Sequence, residues 1–308
     1  IATLKYRLST VNLEMGKFTK AAVSQTIQRG ITTIVASFRN AWQEAVALEK
    51  KLAAIRTIDQ AELPFQSWVV GLRELSDQFG AGILDQAEAA YQALSNQVVT
   101  GANAFGFLAE ANKLASTGLS TSTDAVKLLA STINAFNYNS YSANKIAAIF
   151  FKTVELGRVK ISDLSDSFGR IAVPAGILGL KLEEVNAAIA ALTIQGIKYN
   201  VAATQISGIL QKLIRPMEAT TKLLREHGFA SGQAAANTLS FTGLLQLMNK
   251  EADNSAESVG SMLGRVRAVN GFLGLMRDNA KVYIKALQQM EAAQDTYGKK
   301  VKLVMENA

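Results

Sequence analysis

The sequence predicts an all-α protein, and three observations carry the prediction. Proline occurs only 3 times in 308 residues, against a usual share of about 5%, and proline is what breaks helices. Aromatics make up 7% of the chain and alanine is its commonest residue, while hydrophobic residues reach 49%. Small apolar side chains suit closely packed helices, and that hydrophobic share is too high for a disordered tail. Along most of the chain apolar positions recur at spacings of three and four, the period of an amphipathic helix. The architecture expected is a long N-terminal coiled-coil-type helix, a bundle of short amphipathic helices, and a further long C-terminal helix.

Residues 1–62 read as one long helix. From Ile27 the apolar positions run Ile27, Ile31, Ile34, Phe38, Ala41, Ala45, Leu48, Leu52 and Ile55, alternating steps of four and three. A 3.5-residue repeat keeps one stripe facing a partner along a supercoil. Placing Ile31, Phe38, Ala45 and Leu52 at a leaves isoleucine at several d positions, which disfavours a parallel dimer and shifts the preference toward three or four strands. Val35 and Trp42 fall at e and widen the stripe. The expected partner is a second and third copy of the chain; the alternative is that this helix packs on later helices of its own chain.

Pro64 marks a break, and 63–101 reads as short helices, 68–79 stopping at Gly80 and 83–99 stopping at Gly101. Glycine is the usual residue just past a helix end. Residues 102–229 settle into short amphipathic helices starting about every 20 residues. Thr121 to Asp124 forms a capping pattern, followed by Ala125, Leu128, Leu129, Thr132, Ile133 and Phe136 on one face. Ser142 is expected to open the next helix, which Gly157 stops; Ser162 and Asp163 to cap a third, which Pro174 breaks. Glu183 and Glu184 fall in the first turn of a fourth, where negative charge complements the helix dipole. A fifth runs through Ile206, Ile209, Leu210 and Leu213 to Pro216. Gly157, Pro174, Gly179 and Pro216 are the expected breaks or hinges. Beyond 229 a small, polar stretch at 230–236 precedes helical pattern at 241–248, 259–276 and 282–305.

The composition also removes chemistry. With no Cys there is no disulfide, thiolate zinc site or cysteine nucleophile. His227 is the only imidazole; it precedes Gly228 at a helix end, where a cation favours the dipole. Asp163 and Asp166 are three apart on a solvated face, and Glu183 and Glu184 point apart, so no acid/base pair stands in a credible cleft. Residues 177–181 lack the glycine pattern of a phosphate loop. No enzyme activity, cofactor or metal is expected. The formal charge of +7, from 32 basic and 25 acidic residues, is mild and spread along the chain; it fits ordinary solvated faces, or proximity to an acidic environment such as DNA phosphates. No run of 18 apolar residues exists, the longest candidate, 171–180, being interrupted by Pro174 and two glycines. The chain begins at Ile1, as expected of a processed or internal piece of a longer protein.

The stretch 102–228 resembles the core domain of phage tail tape measure proteins. The segments that carry the resemblance are AEANKLASTGLSTSTDAVKLLASTINAF (109–136), the run 152–197 from KTVELGRVK to TIQGI, and AATQISGILQKLIRP (202–216) followed by LLREHGF (223–229). Gly118, Gly157, Pro174, Gly179, Gly196 and Pro216 fall at its turns, and RVRAVNGFLGLMRDNA (265–280) resembles the segment that follows the core. Residues 1–100 share only helical character. The resemblance implies a structural virion component in the tail-tube lumen or tip, made in the host cytoplasm, that sets tail length and leaves ahead of DNA. It implies parallel copies, a trimer or a multiple of three, touching tail-tube and tail-tip or baseplate hub proteins, with transient proximity to phage DNA and the host membrane. At 1.5 Å per residue, 308 helical residues span roughly 460 Å, so a rod can measure length without chemistry. The alternative is a membrane-active pore-forming or ejection protein, in which 171–180 and 187–197 pair as a hairpin in lipid.

Overall fold

The computed structural model describes residues 25–306, apart from the side chains of 25–36 and 38. Among the described residues there are fifteen α-helices, one short 3-10 turn and no strand. The chain divides into two compact units, Ile1–Lys50 and Lys51–Ala308. Helix α1, Gln25–Ile58, is 34 residues long without a proline. Within the smaller unit Ala41, Trp42 and Ala45 are exposed.

The larger unit begins with the last turns of α1 and continues through α2 (Phe65–Phe79), α3 (Ile83–Ser95), α4 (Asn103–Gly118), α5 (Ser122–Phe136) and α6 (Ala143–Leu156). Then come α7 (Ile161–Ser167), α8 (Gly169–Leu178), α9 (Leu182–Ile194), α10 (Tyr199–Ile214), α11 (Glu218–Glu226), α12 (Gly232–Glu251), α13 (Ala256–Leu263), α14 (Val266–Glu291) and α15 (Ala293–Met305). Helix α9 is the centre. All its residues but Glu183 and Ile194 are buried, because α14, α6 and α10 cover it on separate sides. Packing crosses both residue 101 and residue 229: α3 lies on α5, and α15 lies on α4 and α6.

Local chemistry explains most boundaries. The Thr121 hydroxyl accepts from the Asp124 amide at 3.1 Å and starts α5, and Ser231 does the same for Ala234 at 3.1 Å to start α12. A side-chain oxygen there satisfies one of the orphan N–H groups of the first turn. Gly179 ends α8 at φ +70, a left-handed conformation that costs glycine little.

Several expected boundaries move. Helix 83–99 ends at Ser95, with Asn96 as its cap. Ser142 does open α6, standing immediately before Ala143, but without a side-chain cap: it ends a 3-10 turn, Ser140–Ser142, and its hydroxyl meets Asn139 at 3.2 Å. Helix α7 starts one turn earlier than its serine suggests: Asp163 occupies the third position, and its carboxylate accepts from the Lys160 amide at 3.1 Å. Pro174 lies inside α8 and is buried. The chain is interrupted upstream at Phe168 instead, between α7 and α8; the carbonyl that Pro174 leaves without a donor is that of Arg170, inside α8. The polar stretch 230–236 is the start of α12, its alanines Ala235 and Ala236 being buried. The helix expected over 259–276 is split by Gly264 at φ +70, and that over 282–305 is divided at Ala292.

Candidate self-association stripe and buried polar node

The heptad stripe divides along its length. Ile27, Ile31, Ile34 and Phe38 are on helix α1, but their side chains lie outside the described residues. Trp42 is 44% exposed, an aromatic body held in water. Leu48 is half-buried. Leu52 and Ile55, at 1% and 0% exposure, are buried, so within this chain these two do not offer a free surface to another copy. The last turns of α1 are tied down by polar contacts as well. Lys51 pairs with Glu88 of α3, and that hydrogen bond holds the Glu88 carboxyl below the ordinary glutamate range, with help from Gln92. Asp59, buried just past the helix, accepts from the Ala61 and Leu63 amides at 3.1 and 3.0 Å and from the Trp68 indole at 3.1 Å.

The expected hinges have distinct structural roles. At Gly157 the backbone is extended, not left-handed; an added Cβ would lie 2.7 Å from the Thr193 hydroxyl and 3.3 Å from the Ala190 Cα. This glycine lets the end of α6 approach α9. At Gly179 a Cβ would meet Asn237 of α12 at 2.6 Å. Pro216 follows the end of α10. Gly176 is a close contact: its Cβ position is 2.1 Å from the Ala135 carbonyl oxygen of α5.

The titratable side chains are engaged in structure. His227 caps α11, its amide reaching the Leu223 carbonyl at 3.2 Å, and its Nε2 lies 3.4 Å from a Glu251 carboxylate oxygen. Asp163 and Asp166 are exposed on α7. Glu183 and Glu184 diverge: Glu183 meets Lys145 of α6 at 3.0 Å, which raises the lysine pKa, while Glu184 points inward at 4% exposure. Among the described residues no group of three His, Asp or Glu side chains could hold a metal ion.

Glu184 is the part of the site that sequence reasoning missed. One carboxylate oxygen accepts from the Lys181 amide at 3.2 Å, the local cap that its position suggests. The other accepts from the Phe241 amide of α12 at 2.8 Å, and the Glu184 carbonyl accepts from the Tyr283 hydroxyl of α14 at 3.1 Å. Burial pushes the Tyr283 pKa far up. The Phe241 and Tyr283 rings meet edge-on, centroids 6.4 Å apart. Nothing local in the sequence marks these contacts, which span 57 and 99 residues. Next to them the backbone is unusual. Ser240 has φ 67, ψ 167, and Asp278, Asn279 and Ala280 are all left-handed at φ 51, 61 and 64. Such conformations cost a non-glycine residue about 1–3 kcal/mol, least for Asp and Asn.

Among the described residues two recesses stand out. One, of about 450 Å³, has a floor of Ala190, Ala191 and Ala286 between α9 and α14, with Ile194, Val282 and Lys285 at its edge. The other, about 300 Å³, gathers Lys212, Arg215 and Arg265. The apolar segments 171–180 and 187–197, a lipid hairpin in the pore reading, instead form the core helices α8 and α9, and among the described residues no helix is long and apolar enough to cross a membrane.

Residues 72–295 match the family of phage-related minor tail proteins. Over 111 residues, 36% of this chain, the sequence is 29% identical to a tape measure protein of Pneumococcus phage Dp-1. That match spans about a tenth, 10%, of the relative's length. No solved structure matches the chain.

Proposed function

Because this chain belongs to the phage-related minor tail protein family, its match covering residues 72–295, we propose that it is part of a tape measure protein. In this reading it lies in the tail-tube lumen or tip of the virion, sets tail length during assembly, and leaves ahead of the DNA at ejection. It acts by shape and makes or breaks no bond. The observation that carries the reading is the joint one: the family match falls within the larger helical unit, and the partial likeness is to a protein named for measuring. Helix α1 supports it, since 34 residues at 1.5 Å each make a rod of roughly 51 Å.

The stripe upstream of Leu48, where Ala41, Trp42 and Ala45 are exposed, is where copies of the chain would associate as a trimer or a multiple of three. Tail-tube and tip or baseplate hub proteins are the other partners, and DNA and the host membrane are met only in passing.

The test is a change of length. Deleting residues 27–47 in frame from the phage-encoded protein shortens the tail by roughly 32 Å, about 21 residues at 1.5 Å each, and duplicating them lengthens it equally. Negative-stain images of intact particles measure both. Unchanged tails in both variants refute the reading.

A further inference from the structure

Helices α12 and α14 are each bent without a proline at the bend. Neither Gly232–Glu251 nor Val266–Glu291 contains a proline, and helix kinks have identifiable local causes, proline foremost. Ser240, Asp278 and Asn279 tolerate a turn locally, but a left-handed Ala280 does not follow from its residue type. Its conformation therefore depends on tertiary contacts, and both bends adjoin the same buried residue, Glu184, one at its carboxylate and the other at its backbone carbonyl.

The chemistry of the Phe241 amide shows how. In a continuous α12 that N–H would donate to the Asn237 carbonyl, four residues back. Here it donates to the Glu184 carboxylate instead, at 2.8 Å. Glu184 thus replaces a backbone acceptor and starts a second helix, whose first turn Ser240 caps through its hydroxyl, 3.2 Å from the Gly243 amide. Tyr283, three residues past the left-handed Ala280, anchors the other bent helix on the Glu184 carbonyl. Ala280, Phe241 and Tyr283 are each 0% exposed, whereas Ser240, Asp278 and Asn279 are exposed, so it is at Ala280 that packing holds the left-handed backbone.

We propose that Glu184 is a latch: its contacts with Phe241 and Tyr283 hold α12 and α14 bent, and their loss lets each become one continuous helix. The straight forms are rods of roughly 30 and 39 Å, from 20 and 26 residues at 1.5 Å each. The same chain therefore has a compact form and a longer one, and the two contacts of Glu184, through its carboxylate to α12 and its carbonyl to α14, decide between them. The proposal does not depend on the tail reading, and its test uses the purified chain alone.

The test places spin labels at Asn270 and Gln288, two exposed positions on either side of the α14 bend. A straight helix sets their backbones roughly 27 Å apart, 18 residues at 1.5 Å; a bent one brings them closer. Wild type shows the shorter distance. Tyr283→Phe, which takes the hydroxyl from the Glu184 carbonyl, adds a population at the longer one, and Glu184→Ala, which takes the acceptor from the Phe241 amide, speeds hydrogen exchange there. Adding Asp278→Gly and Asn279→Gly removes that population, because glycine relaxes the left-handed bend and disfavours the straight helix. The proposal is overturned if Tyr283→Phe, which keeps the buried ring, shows only the wild-type distance, or a folded Glu184→Ala only the wild-type exchange. It is also overturned if the two glycines leave a long population in place. Should Glu184→Ala fail to fold, the Tyr283→Phe distance decides alone.

Discussion

Replacing Gly176 by alanine tests the contact of α8 with α5 at a single atom. The new Cβ would sit 2.1 Å from the Ala135 carbonyl oxygen and 3.1 Å from its carbon. An ordinary carbon–oxygen contact is more than 3 Å, so the two helices must separate by about 1 Å, and the obstacle is backbone that no rotamer change can move. Overpacking a core costs about 1–3 kcal/mol, and a backbone obstacle puts this substitution at the upper end. For a unit of this size each 1 kcal/mol moves the melting temperature about 2–4 °C, so Gly176→Ala lowers it by roughly 6–12 °C. Gly106 supplies the matched control. It is helical, exposed, and has nothing within 4 Å of its Cβ position. There alanine removes backbone freedom from the unfolded chain and stabilises by about 0.5–1 kcal/mol. Differential scanning calorimetry on the two variants should show shifts of opposite sign. The reasoning fails if Gly176→Ala melts within about 1 °C of wild type, or if Gly106→Ala falls by as much as Gly176→Ala.

Asp59→Ala leaves the Ala61 and Leu63 amides and the Trp68 indole without their acceptor; unmet buried donors cost about 1–3 kcal/mol each, so denaturant unfolding should show a loss of at least 2 kcal/mol on that scale. Asp59→Asn keeps one acceptor oxygen and should lose less. At high pH, burial raises the pKa of Tyr199, Tyr283 and Tyr297 above the ordinary tyrosine value. The folded state then holds its phenol protons more tightly than the unfolded chain, so this stabilisation is whole below about pH 10 and is lost as pH rises through the folded values. Absorbance at the tyrosinate band should show these three titrating late and together with unfolding; three independent titrations near pH 10 in a folded chain would contradict their burial.

The helical class and most helix existences were legible because they depend on local period and local caps. Thr121, Gly80 and Gly179 do in the structure what their residue types suggest. Ser142 stands where its residue type suggests, immediately before α6, but its hydroxyl turns back to Asn139 and not to the helix's first turn. Pro174 misled because the break falls six residues earlier, at Phe168, while the proline itself is accommodated inside α8. The glycines carry a different lesson. Gly176, Gly232 and Gly157 are small because another helix or its side chains come within 3 Å of the Cβ position, and which helix arrives there is not encoded in the neighbouring residues. Glu184 is the clearest case: its role in α9 is a local cap, whereas its hold on α12 and α14 exists only once the bundle has formed.

The stripe on α1 shows how one periodic pattern can serve two purposes. From Ile27 to Ile55 the spacing is unbroken, yet at its end Leu52 and Ile55 are buried and Lys51 is paired to α3. A heptad pattern states only that one face of a helix needs cover; it does not say whose atoms supply it. At Leu52 and Ile55 there is no surface left for a second copy to cover. At Trp42, 44% exposed, the indole is the kind of large amphipathic side chain that is enriched where proteins meet. The self-association proposed for this chain therefore rests on the upstream turns, and the turns from Lys51 onward fix α1 to the bundle from which it extends in sequence.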